Sequence, residues 1–367
     1  MRLNYANFWD DIRVQLTDSL AYFIFYVTQR CNFECRHCFN YIENQKPGND
    51  LTIDEIDRFS QKLGKIKYIT MAGGEPMLRP QLDTIAEIFY TNNKVHILNV
   101  STNGWLTDRV VSFVESTLSK CEGLALAIAV SLDGGRETHD KIRNKAGSFD
   151  HAVTTLKELK KLQEHSDTNR LALFAHGTYN AWNANEFLDT ARFFTEEIGV
   201  PYSVAMIRGD NLPDSSINHI DVDHYHEVFK KIMPLVRKGL ANNYPFRRAG
   251  VAMADLVGDV IYQSAKHNRM VVPCRAGKKC FVITSDGNIV FCEILNIVLG
   301  NLRDHNYDPM ELLRSKRALK EMDMIYENKC HCTWECFQMV NVWSSPKMLA
   351  QIIRKSLSYA FHDWFKA

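Results

Sequence analysis

Cys31-Asn-Phe-Glu-Cys35-Arg-His-Cys38 places three thiols within eight residues. Thiolates this dense suit zinc or an iron–sulfur cluster, since both take soft sulfur donors. A cubane cluster needs about four ligands, so a loop supplying three leaves one iron open to a substrate. A structural zinc site is normally closed by four protein ligands, and His37 is the residue that would complete one. The count of three thiols argues for iron and sulfur. A second group begins at Cys274 and Cys280, continues to Cys292, and ends in Cys330-His-Cys332-Thr-Trp-Glu-Cys336. Asp286-Gly287 between two apolar runs predicts a hairpin that returns Cys292 toward Cys274 and Cys280. Zinc stays open here too, because Cys-x-Cys-x3-Cys alone does not exclude it. Cys121, far from both groups in a predicted helix, reads as a core residue.

Both groups need a frame. Short apolar runs predict strands at 21–28, 65–71, 95–100, 123–132, 171–178 and 202–207. Between them lie predicted helices at 52–63, 80–92, 107–120, 148–165 and 185–198, the first opened by a Thr52/Glu55 capping box. Pro47-Gly48-Asn49-Asp50 marks a turn. Alternating strands and helices imply a parallel sheet with right-handed crossovers. Six units are too few to close an eight-stranded barrel, so the expected fold is α/β, a partial (β/α)6 TIM-like barrel. After Arg208 the alternation stops. A loop and two helices at about 222–240 and 246–266 precede the cysteine-rich region. The expected organisation is an extension over 1–20, the barrel over 21–207, a helical connection over 208–270, a small cluster domain over 271–345 and an amphipathic helix over 346–367.

Active sites of such sheets lie at the carboxyl ends of the strands. The first cysteine loop falls there, as do Gly73-Gly74-Glu75-Pro76, Ser101-Thr102-Asn103-Gly104 and Ser131-Leu132-Asp133-Gly134. Gly73 and Gly74 allow close backbone approach; Ser101, Asn103, Ser131 and Asp133 offer polar contacts, and Arg143 offers a bidentate fork for a carboxylate. Each has a plainer reading as a turn, a helix cap or a surface ion pair.

Taken together and in this order, these motifs resemble the radical S-adenosylmethionine (SAM) superfamily. The resemblance covers about residues 20–207. It implies that Cys31, Cys35 and Cys38 hold a [4Fe–4S] cluster whose open iron is chelated by SAM. It also implies that the Gly73–Pro76 loop, with Glu75, binds the SAM amino group. Reductive cleavage of SAM would then give a 5′-deoxyadenosyl radical that abstracts a hydrogen atom. The later cysteines resemble the SPASM/twitch extension, whose Gly-x4-Cys element matches Gly287-x4-Cys292. The full SPASM pattern carries two auxiliary clusters, which need about eight thiolates, and this region has six. The expectation is therefore one auxiliary cluster, [4Fe–4S] in type, held by Cys274, Cys292 and Cys336 with a fourth ligand from Cys280, Cys330 or Cys332. In sulfatase-maturing relatives an acidic residue at the place of Glu293 is a candidate base beside that cluster; the plain alternative is a solvated hairpin glutamate.

Composition narrows the partners. Charged residues make up 24% and the formal net charge is +1, so no polyanion-binding field is expected and nucleic acid is a poor partner. Arg2, Asp10, Asp11, Arg13 and Asp18 make the first twenty residues unlike a secretory signal. Ten cysteines then read as metal ligands in the cytoplasm rather than disulfides. The resemblance implies oxidation, epimerisation or cross-linking of a peptide or small natural product, with a flavodoxin or ferredoxin as electron donor. Residues 347–366 form an amphipathic helix, expected to pack on its own barrel; contact with a membrane, and with it a lipid-like substrate, is the minority reading. A non-catalytic metal-binding scaffold is the rival from another class.

Overall fold

The computed structural model describes residues 19–45, 48–165, 169–209, 211–239, 247–327 and 330–364. Pro47 of the expected turn, nearly all of the 1–20 extension and the side chains of Phe361, Trp364 and Phe365 lie outside the described residues.

Strand β1 (Tyr22–Thr28) is buried along its whole length, as an apolar run flanked on both sides must be. β2 (Tyr68–Gly73), β3 (Ile97–Thr102), β4 (Ala125–Ser131), β5 (Leu171–Tyr179) and β6 (Tyr202–Met206) follow it in parallel and in sequence order. Helices α1 (Tyr41–Asn44), α2 (Ile53–Leu63), α3 (Leu82–Asn93), α4 (Thr107–Lys120), α5 (Arg136–Arg143), α6 (Ser148–His165) and α7 (Phe187–Arg192) fill the connections. This is the partial (β/α)6 barrel. The capping box forms: Thr52 accepts from the Glu55 amide, and Glu55 accepts from the Thr52 amide. Cys121 ends α4 and is wholly buried.

Helices α8 (Val222–Gly239) and α9 (Arg247–His267) follow, and then the sheet resumes. β7 (Cys280–Ile283) pairs in parallel with β1, Tyr22 opposite Cys280, and carries β8 (Asn288–Val290) and β9 (Val298–Asn301) as an antiparallel extension. The sheet is therefore continuous, in the order β6-β5-β4-β3-β2-β1-β7-β8-β9. Gly287, at φ 92°, makes the turn predicted between β7 and β8. Helices α10 (Pro309–Leu313), α11 (Lys316–Glu327), α12 (Glu335–Trp343) and α13 (Pro346–Trp364) complete the chain. α13 packs on α9: Tyr359 donates to Asp255 Oδ2 at 3.1 Å and Lys355 pairs with the same carboxylate. Ile352 is buried by this docking, while Ile353 and Leu357 stay exposed.

Among the helices absent from the sequence expectation are α5 and α12. α5 has Ile142 as its sole large aliphatic among eight residues and so gives no apolar period. α12 follows directly on the last cysteines, whose spacing masks its helical pattern.

Candidate active site between two cysteine groups

The first cysteine loop leaves β1 and is held from several sides. Thr28 donates to Asp50 at 2.7 Å, and the Arg36 amide donates to the Ile142 carbonyl at 2.8 Å, tying the loop to the end of α5. Burial pushes the Cys31 and Cys38 thiols up to about 12 and raises Cys35 as well. Such thiols keep their protons until a metal displaces them.

The glycine loop after β2 is explained by backbone packing. A Cβ on Gly73 would lie 2.4 Å from the Thr28 carbonyl, and one on Gly74 would lie 2.1 Å from that of Arg30. Here the close approach is to the segment leading into Cys31. Glu75 is buried, and burial raises its pKa, against the hydrogen bonds that it accepts. Those come from the Asn103 amide at 2.7 Å, the Thr102 hydroxyl at 2.7 Å and the Met77 amide at 3.1 Å. Pro76 opens the short turn that follows. Asn103 in turn donates to Asn32 inside the cysteine loop at 2.8 Å. Glu75 and Asn103 thus lock the ends of β2 and β3 to the cysteine loop.

Asp133 and Arg143 meet each other. Arg143 Nε lies 2.6 Å from Asp133 Oδ2, and its Nη1 lies 3.9 Å from Cys35 Sγ. Burial pushes the Asp133 carboxyl up, but Arg143, then His37 and His139, hold it well below the usual carboxylate range. Asp133 also accepts from the Thr178 amide at 2.9 Å. Arg143 therefore commits its charge inside the protein, next to a cysteine. His37 lies 3.9 Å from Asp133, and burial lowers its pKa to about 4. Ser101 stands at the end of β3, and Ser131 at the end of β4 opposite His176.

The later cysteines gather as the hairpin requires. Cys274, Cys292, Cys330 and Cys332 line one small cavity together with Trp334, Phe337 and Gln338. Cys280, fully buried at the start of β7, lies in the electrostatic reach of Cys274, Cys292, Cys332 and Cys336. Cys336 does not line that cavity; it contacts Tyr22 of β1. Among the described residues no three His, Cys, Asp or Glu side chains converge on a single-ion site. Four of the six thiols instead line one space, and a cluster takes its thiolates at separate corners. Those four, with two further thiols nearby, fit the donor set of one such cluster.

Between the groups lies a set of residues from which the sequence singled out Glu293 alone. The Tyr26 hydroxyl, on β1, donates to Glu293 Oε1. Burial pushes the Glu293 carboxyl up to about 7, against the pull of Arg208 and Tyr26. Arg208 donates to Glu335 at 2.8 Å. His176, its pKa lowered by burial, bonds Ser203 at 2.7 Å and feels both Glu335 and Asp133. Adjacency to cysteines, for Glu335 as for Glu293, was the available signal; Tyr26, His176 and Arg208 carried none.

Residues 25–193 match the family model of the radical SAM superfamily, and residues 274–337 match that of SPASM, an iron–sulfur cluster-binding domain. The AdoMet-dependent heme synthase of Methanosarcina barkeri (strain Fusaro / DSM 804) is 23% identical over 334 residues, 87% of this chain and 92% of that protein. The sporulation killing factor maturation protein SkfB of Bacillus subtilis (strain 168) is 23% identical over 314 residues, 83% of this chain and 67% of that protein. Native anSMEcpe, solved with bound AdoMet and Cp18Cys peptide, aligns with a TM-score of 0.59 at 15% identity, covering 95% of this chain and 98% of that one. That last likeness is one of fold.

Proposed function

The chain is an enzyme of the radical SAM superfamily with a SPASM domain, and from that premise we propose that it oxidises, epimerises or cross-links a peptide or small natural product. The radical SAM domain binds a [4Fe–4S] cluster and SAM, and the SPASM domain binds iron–sulfur; when bound, they supply one-electron chemistry and a hydrogen-abstracting radical. Cys31, Cys35 and Cys38 would hold the first cluster. Four of the six later thiols would hold one auxiliary cluster, Cys274 and Cys292 among them. Glu75 and Asn103 fix the ends of β2 and β3 against the cysteine loop, beside which SAM would bind, and Asp133 holds Arg143 against Cys35.

The observation that carries the reading is the Tyr26–Glu293 pair. A carboxylate next to Cys292, oriented by a hydroxyl from the strand that leads to Cys31, suits removal of a proton from a substrate undergoing oxidation. Tyr26 orients Glu293, and Glu293 takes the proton. The named relatives include a heme synthase and a peptide-maturation protein, which supports both substrate classes. A redox protein such as a flavodoxin or ferredoxin would supply electrons.

The test incubates reconstituted, dithionite-reduced enzyme with SAM and a library of deuterated peptides and small natural products. Deuterium appearing in 5′-deoxyadenosine identifies the substrate. Failure of the reduced enzyme to make 5′-deoxyadenosine at all would overturn the reading.

A further inference from the structure

Arg208 touches the immediate neighbours of both cysteine groups. Its guanidinium lies 5.1 Å from the ring centroid of Phe39, the residue after Cys38. It lies 5.5 Å from that of Trp334, between Cys332 and Cys336. Nη1 donates to Glu335, while the buried Nε has no hydrogen-bond partner. The side chain is 15% exposed. Two rings and one carboxylate therefore fix the planar group, yet leave part of its donor fork unspent. Buried donors are normally satisfied, and an arginine held this way fits a planar acceptor that arrives with a ligand.

We infer that Arg208 reads a carboxylate on the substrate and thereby sets which part of it enters the space between the two cysteine groups. The inference rests on the radical SAM reading above. A carboxylate matches the fork geometry bidentately. A phosphate would bring more negative charge into a space already containing Glu293 and Glu335, at a greater repulsive cost. Glu335 then acts as the placeholder that the incoming carboxylate displaces or joins. The plain rival is a strut, in which Arg208 and Glu335 only join β6 to α12.

The two accounts differ in sign. Holoenzyme with both clusters, reduced in the absence of SAM so that none is cleaved, is titrated with carboxyl-13C propionate, and paramagnetic broadening of the carbon resonance by the reduced clusters reports binding. Saturable broadening is expected. Arg208→Gln should weaken binding about tenfold or more, and Arg208→Lys, which keeps charge but loses the fork, should also weaken it. Glu335→Gln should tighten it several-fold by removing the competing carboxylate. Loss of binding in both Arg208→Gln and Glu335→Gln would establish the strut and overturn the inference, as would unchanged binding in Arg208→Gln or no saturable broadening in the wild type. Repeating the titration with N-acetylglutamate α-amide separates the sources: tighter binding than propionate assigns a peptide side chain, weaker binding a small acid. Iron content and 5′-deoxyadenosine release are read in each variant. Their absence from the wild type would defeat the radical SAM reading; their presence without carboxylate binding would defeat this inference alone.

Discussion

A carboxylate serves as a base when it faces the proton it takes, and Tyr26 fixes where Glu293 faces. Glu293→Gln keeps the size but not the basicity, so it should retain iron and cleave SAM while product formation falls by about 10²–10⁴. Product yield against 5′-deoxyadenosine yield checks this; full turnover would remove Glu293 from the chemistry. Gly74 leads to a different expectation. A valine there would drive its Cβ into the Arg30 carbonyl, so Gly74→Val should cost about 1–3 kcal/mol by overpacking and lower the iron retained at Cys31, Cys35 and Cys38. Thermal unfolding with iron analysis measures both effects. The chemistry of Cys31 or Gly74 is legible from residue type because a thiol or a missing Cβ means much the same anywhere. Tyr26, Arg208 and His176 are ordinary residue types whose roles arise only when segments far apart in sequence meet.

The same distinction governs elements. Strands β1 to β6 were legible because each is an apolar run bounded by polar turns, and the hairpin because Gly287 must adopt positive φ. The pairing of β7 with β1 was not, since parallel partners far apart in sequence leave no local mark. α2 shows an element joining distant parts: Glu55 caps it and also binds Arg303 Nε at 2.7 Å and Tyr307 at 3.0 Å, beyond β9. The Arg303 bond first, then the cap and Tyr307, lowers the Glu55 pKa to about 2. A depressed carboxylate stabilises above its unfolded pKa of about 4.3 and loses that contribution as pH falls toward 2. Wild type should exceed Glu55→Gln by about 1–3 kcal/mol at pH 7, with the gap closing below pH of about 4; denaturant melts across pH would show it. The cysteine elements separate in a similar way. Reconstituted protein should hold about eight irons, and alanine at Cys31, Cys35 and Cys38 should remove about half and abolish SAM cleavage. A triple variant that kept all its iron would place the first cluster elsewhere.

At the scale of the whole molecule, Asp255 anchors the C-terminal helix. It is paired with Lys230 at 2.6 Å, with Lys355, and with Tyr359. Asp255→Ala should loosen α13 by about 1–3 kcal/mol, between the values for exposed and buried pairs. Hydrogen exchange over residues 346–360 should rise while iron content holds; unchanged exchange would show that apolar packing around Ile352 suffices. The continuous sheet has another consequence, which concerns the chain as it leaves the ribosome. β1 is an interior strand with β2 on one side and β7 on the other, yet β7 begins only at Cys280. Until that residue emerges, β1 offers the unpaired edge of a largely apolar strand that a second chain could join. Fragments ending before β7 should therefore aggregate, whereas fragments that include the β7–β8 hairpin should not. The hairpin that gathers thiols thus also protects the nascent barrel from its neighbours.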